Sequence, residues 1–198
     1  MCIKLSVLAT KLLIVMRYTL FNLSGLNIRS TMAVELDDVR KLCELMVHAN
    51  KDDHFHALGI EVTEIEHKKV TMRLDYNEDL IGNPETGVIH GGAITALLDS
   101  CCGFAASTAL DQLGLTPTID LRIDYMGAAE PNKPIYGVAE VYRSTKHVIF
   151  TRGIAHQGDP ERPIAQAVGN FVSMEAGTFD DFREFVLNAY DQMMERRT

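Results

Sequence analysis

Two chemistry-bearing features share one short stretch: a glycine-rich turn, Thr86-Gly87-Val88-Ile89-His90-Gly91-Gly92, and a lone carboxylate, Asp99. The turn runs directly into an apolar, small-residue segment from Ala93 to Phe104 that reads as a long helix. Such a helix start leaves backbone N–H groups without partners at the positive end of a dipole, so it can hold developing negative charge. Asp99 is flanked by Leu97, Leu98, Cys101 and Cys102, and an unpaired carboxylate buried among them would be strongly unfavourable. It therefore has hydrogen-bond partners or a chemical task. His90 stands where the turn must be shaped, which suits a structural hydrogen bond better than a catalytic base.

Other chemistries leave no trace. The chain has no G-x-S-x-G elbow and no Walker or dinucleotide-binding fingerprint. His54 and His56 flank Phe55 without a third ligand nearby, and Cys2, Cys43, Cys101 and Cys102 lack C-x-x-C or Cys/His spacing. No metal is expected, and the thiols read as small hydrophobes in a reducing, cytoplasmic setting.

The elements that must position these residues can be read from periodicity. From Glu35 to Asn50, Leu36, Val39, Leu42, Cys43, Met46 and Val47 recur at helical spacing. Ala57 to Val62 and Val70 to Tyr76 read as strands, and Asn77 to Gly87 as a polar loop leading to the central helix. Beyond the helix, Gly114 and Pro117 mark a turn. Ile119, Leu121, Ile123 and Tyr125 then alternate with Thr118, Asp120, Arg122 and Asp124. Ile135 to Arg143, Val148 to His156 and Ile164 to Met174 follow, joined by short loops, so antiparallel pairing is expected. A sheet this long cannot leave one face bare, which implies an α+β domain whose antiparallel sheet wraps around the central helix. The small side chains of Ala93, Ala96, Ser100, Gly103 and Ala105 would let the strands approach closely.

Composition bounds the rest. With 198 residues, 46% of them hydrophobic, the chain suffices for one domain with modest additions. A net charge of -8 argues against nucleic acid as a partner. Residues 1–34 carry Lys4, Lys11, Arg17 and Arg29 but no acid, a pattern that stops at Glu35. This block reads as an extension foreign to the fold, and its apolar run from Leu12 to Met16 is far short of the roughly 20 residues of a membrane span. Residues 35–176 read as the main domain. Residues 177–198 read as an amphipathic helix with Thr178 as its cap and Phe182, Phe185, Val186, Ala189 and Met193 as its apolar stripe.

The ordered set Asn83…His90-Gly91-Gly92…Asp99 resembles the hotdog-fold acyl-CoA thioesterases of the phenylacetate-pathway (PaaI-like) type. Phe55-His56-Ala57-Leu58-Gly59-Ile60-Glu61 and Thr118 to Met126 are similar to that family as well, so the likeness runs from about residue 36 to 175. The resemblance implies that the Gly91 N–H binds the thioester carbonyl oxygen with help from the Asn83 side chain. It implies that Asp99 activates water as general base or attacks as nucleophile, and that Thr118 orients the water or the carboxylate. His90 and Gly92 would complete the substrate-binding turn. Arg143 and Lys146, with Arg152 nearby, lie around a late hairpin and are placed to meet CoA phosphates. Many relatives carry a Gly in that loop, where this chain has Thr145 between Ser144 and Lys146. Two other readings are a non-catalytic acyl-CoA-binding or regulatory module and a hotdog hydratase or dehydratase. Asp99, Gly91 and Asn83 together disfavour the first, and the acid-plus-His motifs of the second are not found.

Distance adds an expectation about assembly. If Gly91 and Asp99 both lie on one helix, eight residues at a rise of about 1.5 Å put them ~12 Å apart along the axis. One reacting centre cannot touch both. A homodimer with shared sites, Gly91 and Asn83 from one chain and Asp99 from the other, removes the difficulty, as the resemblance also implies. Pairing of dimers into a homotetramer is compatible with this but points to no residue.

Overall fold

A computed structural model describes residues 33–48, 54–174 and 181–196. The chain forms α1 (Leu36–His48), α2 (His54–Leu58), β1 (Ile60–Glu66), β2 (Lys69–Leu74), β3 (Ile81–Asn83) and β4 (Val88–Ile89). The central helix α3 (Gly91–Ser107) follows, then β5 (Thr118–Tyr125), β6 (Ile135–Ser144), β7 (Val148–His156), β8 (Ala165–Val172) and α4 (Phe182–Glu195). Six strands make one antiparallel sheet in the order β1-β2-β6-β7-β8-β5, and β3 and β4 form a separate small hairpin. Helix α3 packs against β2, β5, β6, β7 and β8, so the sheet curves around it as the alternating strands imply.

The close approach depends on small atoms. The Cys101 thiol donates to the carbonyls of Val70 at 3.1 Å and Gly137 at 3.2 Å, on adjacent strands β2 and β6. A Cβ on Gly137 would lie 3.0 Å from Leu97 Cγ. Ala93, Ile94, Leu97, Leu98, Ala105 and Ala106 are buried at this helix–sheet contact or beside it. Cys43, Cys101 and Cys102 are free buried thiols.

Several details differ from the periodicity reading, each for a local reason. Ala57 and Leu58 lie in α2, not in the first strand, because Gly59 at φ 68° ends that turn, its N–H donating to the carbonyls of Phe55 at 3.0 Å and His56 at 3.1 Å. The strand starts only at Ile60. The polar loop contains a 3-10 turn, Glu78–Leu80, capped by Asn77, and then β3. In β5 the register shifts between Thr118 and Asp120, and Ile119 is 55% exposed, while Leu121 and Ile123 pack on the core.

Val34, placed in the extension by the composition break, is buried, and its N–H donates to the Leu110 carbonyl at 3.1 Å. The C-terminal helix packs on α1 with Phe182, Val186 and Met193 buried and Phe185 exposed. Its first residue follows Asp181, which makes no side-chain cap, while Thr178 lies outside the described residues.

Candidate active site

Helix α3 starts at Gly91 because His90 caps it. With His90 extended at φ −62° and ψ 133°, its Nδ1 accepts the Gly92 N–H at 2.9 Å. The cap occupies the Gly92 amide, so Gly92 does not offer a second donor to a substrate. The Gly91 N–H has no hydrogen-bond acceptor among the described residues and sits at the positive end of the helix. His90 is thus a structural residue of the turn.

The β3–β4 hairpin delivers Asn83 to this turn. Ile81 pairs with Ile89 and Asn83 with Val88, and the His90 N–H donates to the Leu80 carbonyl at 2.8 Å. Glycine is required at 82, where a Cβ would stand 2.8 Å from His90 Cα. Asn83 Oδ1 accepts the Glu85 N–H at 3.0 Å, an Asx turn that fixes the side chain while its two N–H donors make no bond to the described residues.

One residue at this turn was not singled out from sequence. The Tyr125 hydroxyl donates to the Gly91 carbonyl at 2.7 Å, Thr95 Oγ1 donates to the same oxygen at 3.2 Å, and the two hydroxyls lie 2.6 Å apart. A hydroxyl pair is thereby fixed on the peptide that follows the free Gly91 N–H. Tyr125 carries no local signal beyond its place in an alternating strand.

Asp99 lies two turns further along α3, half-buried rather than sealed in the core. Its Oδ1 accepts the Thr118 hydroxyl at 3.0 Å, so it has the partner that its apolar neighbours demand. The bond exists because the start of β5 crosses this face of α3. Below Asp99, burial pushes the Cys102 thiol up to about 11; the Thr151 hydroxyl pulls the other way and the Asp99 charge adds to the rise.

A cleft of about 290 Å³ opens beside Asp99 and Thr118, walled by Leu42 and Met46 of α1, Phe55 of α2, Phe104 of α3, Leu115 and Phe171. These apolar residues come from five separate parts of the chain. A closed apolar cavity of about 150 Å³ already takes a benzene ring, so by volume this open cleft, whose rim also carries Asp99, Ser100, Ser107, Thr116 and Thr118, has room for a substantial apolar group.

The candidate residues fall into two groups on one chain. Asn83, His90, Gly91 and Gly92 gather at the start of α3; Asp99 and Thr118 meet two turns away, about 12 Å along the axis. Arg143 and Lys146 are exposed at the turn between β6 and β7. Arg152 does not join them as a free cation, because its guanidinium is held by Glu140 across the strands, with Nε 2.5 Å from the carboxylate. Thr145 closes the turn with its side chain: its hydroxyl donates to the Val148 carbonyl at 2.7 Å and accepts the Val148 N–H at 3.1 Å. Among the described residues no three His, Cys, Asp or Glu side chains are grouped to hold a metal ion, and no helix is long and apolar enough to cross a membrane.

Comparison with known proteins agrees with this architecture. Residues 86–164 match the family model described as Thioesterase superfamily. A Halobacterium salinarum protein named as a presumed esterase is 31% identical over 156 residues, 76% of this chain and 97% of its own. A crystal structure of a Pseudomonas aeruginosa protein is 48% identical, covers 70% of this chain and 98% of its own, and superposes with a TM-score of 0.60. The phenylacetic acid degradation protein PaaI of Thermus thermophilus shares the fold at 18% identity and a TM-score of 0.53, covering 60% of this chain and 96% of its own. With the Halobacterium salinarum relative matched almost end to end, this chain belongs to the thioesterase superfamily and is a hotdog-fold thioester hydrolase.

Proposed function

We propose that this protein hydrolyses acyl-CoA thioesters to a free acid and CoA, with Asp99 activating water and the Gly91 amide polarising the carbonyl. The observation that carries the reading is the Asp99–Thr118 hydrogen bond at the rim of an apolar cleft. It holds a carboxylate where an acyl group could be seated, and binding alone would need no carboxylate there. Water attacks the carbonyl carbon as Asp99 takes its proton. The oxyanion is held by the Gly91 N–H and the Asn83 side-chain amide. The C–S bond then breaks and the departing sulfur recovers the proton. Thr118 keeps Asp99 oriented, and Arg143 and Lys146 contribute positive charge for the CoA phosphates.

Each site is composite in this reading, since Gly91 and Asp99 are too far apart on one helix to touch one carbonyl. Strand β5 supports a twofold partner: it is one of the sheet's two outer strands, and Ile119, Tyr125 and Met126 around it are more than half exposed. The test mixes two inactive variants. Gly91→Pro removes the N–H at the first helical position; His90 already has the extended backbone that a residue before proline requires, and the Tyr125 side chain, 3.2 Å from a Cβ at 91, must give slightly. Asp99→Asn removes the base. Mixed dimers should regain one working site of two and release CoA from an acyl-CoA. Folded, well-mixed dimers with no recovered turnover would overturn the shared site, and absence of CoA release by the wild-type protein from aromatic, short-chain and long-chain acyl-CoAs would overturn the substrate class.

A further inference from the structure

The cleft wall and the C-terminal helix are two sides of one element. On α1, Leu42 and Met46, four residues apart, face the cleft. Asp38, Lys41 and Glu44, three residues apart, run down the neighbouring side, where α4 lies. Arg183 of α4 donates to Asp38 Oδ2 from Nε at 2.5 Å and to Oδ1 from Nη2 at 3.4 Å, and the Asp38 side chain is only 5% exposed. The Tyr190 hydroxyl donates to Glu44 at 2.8 Å, and the Lys41 ammonium stands 6.0 Å from the centre of the Tyr190 ring. Both helices lie outside the stretch matched by the family model, which contains Gly91 and Asp99.

We infer that α4 is a brace that sets acyl selectivity: through Arg183, which pairs with the buried Asp38 carboxylate, it holds α1, and with it Leu42 and Met46, against the acyl cleft. The inference rests on the acyl-CoA reading above. Its physical basis is the cost of leaving a buried carboxylate alone. Without Arg183, whose own side chain is 58% exposed, the buried Asp38 carboxylate loses its partner and is fully hydrated only as α1 and α4 shift apart, and Leu42 and Met46 lie one and two helical turns from Asp38 on the same helix. The wall then loosens while the start of α3 and the Asp99–Thr118 bond keep their own supports. Arg183 is accordingly a positioning residue, acting on binding of the acyl chain and not on the chemical step.

The experiment measures kcat and KM of the full chain on acetyl-, butyryl-, hexanoyl- and octanoyl-CoA. In the wild-type protein kcat/KM should climb by up to about fourfold per methylene as the chain fills the cleft. Arg183→Met should flatten that climb to under about twofold per methylene, through KM, with kcat on acetyl-CoA unchanged. Arg183→Lys should fall between the two. The double variant Asp38→Leu/Arg183→Met leaves no buried charge and should restore the slope. A folded Arg183→Met protein with the wild-type slope overturns the inference. A flat wild-type profile overturns it too, while leaving hydrolysis standing; no hydrolysis of any acyl-CoA removes the substrate reading itself. Should Arg183→Met fail to fold, Tyr190→Phe carries the same test, with a smaller flattening expected and an unchanged slope again counting against the brace.

Discussion

The role given to Thr118 can be separated from a merely neighbouring one by a double-mutant cycle with Asp99. Thr118 Oγ1 donates to Asp99 Oδ1 at 3.0 Å, a hydrogen bond to a charged acceptor at a partly exposed position. Such bonds are worth ~1.5–3 kcal/mol, and exposure argues for the low end, so Thr118→Val should lower kcat by about tenfold. Valine keeps the branched shape, so β5 is not otherwise disturbed. Asp99→Asn should lower kcat by at least ~100-fold, the lower range for loss of a general acid–base group. If Thr118 acts only by orienting Asp99, its hydroxyl has nothing left to orient once the base is gone. The double variant then loses about 100-fold, whereas independent roles would multiply to about 1,000-fold. The assay is thiol release from an acyl-CoA at saturation, with circular dichroism to show that all three variants fold. A multiplicative double variant, or a Thr118→Val enzyme with wild-type kcat, would refute the orienting role.

Three further outcomes follow from the core. Gly137→Ala places a Cβ 3.0 Å from the fully buried Leu97 and should destabilise by about 1–3 kcal/mol; an unchanged urea midpoint would show that α3 and β6 are less tightly packed than this. Burial holds the His156 pKa down, so below about 6.5 the unfolded chain takes up a proton that the native imidazole refuses, and stability is lost as pH falls. His156→Asn should therefore shrink the drop in urea midpoint between neutral and mildly acidic buffer, and an identical drop would rule His156 out as its source. Burial keeps the thiols of Cys43, Cys101 and Cys102 protonated, so a Cys2→Ser protein should react with a thiol reagent at mildly alkaline pH only on the time scale of unfolding; rapid labelling of the native protein would contradict the closed core.

How far the sequence reveals this molecule depends on whether the signal is local. Asp99 stands out because a carboxylate in an apolar helical run breaks the pattern around it, and Gly91 and Gly92 because a glycine pair at a helix start has few bland explanations. The strands from 118 onward are found where the sequence puts them, although the alternation is broken by register shifts in β5 and between β6 and β7. Periodicity starts the first strand too early for a reason equally local: a helical turn of five residues is too short to show a period, and Gly59, which ends it, looks the same in a strand-side turn. Arg152 illustrates the opposite failure. Its spacing from Arg143 and Lys146 suggests a cationic cluster, but Glu140, which neutralises it, is brought alongside only by the pairing of β6 with β7.

The cleft belongs to the same class of non-local facts. Nothing in the sequence separates Leu42 and Met46, which face a ligand-sized space, from Val39 and Cys43 on the same helix, which are fully buried. The distinction is made by what packs on each side, and one of those sides is α4, about 140 residues downstream. The residues of the proposed reaction lie between 83 and 118, on one short stretch of the sequence, whereas the walls of the cleft are assembled from distant parts of the chain. Two chains of this family could then keep the same turn and the same carboxylate and still differ in the acyl group they accept, through changes in α1 and α4 that touch no reacting atom. On that argument the C-terminal helix is the place to look for altered selectivity, and the Asp38–Arg183 pair is its most sensitive point because it is the one salt bridge between the two helices among the described residues, and its carboxylate is buried.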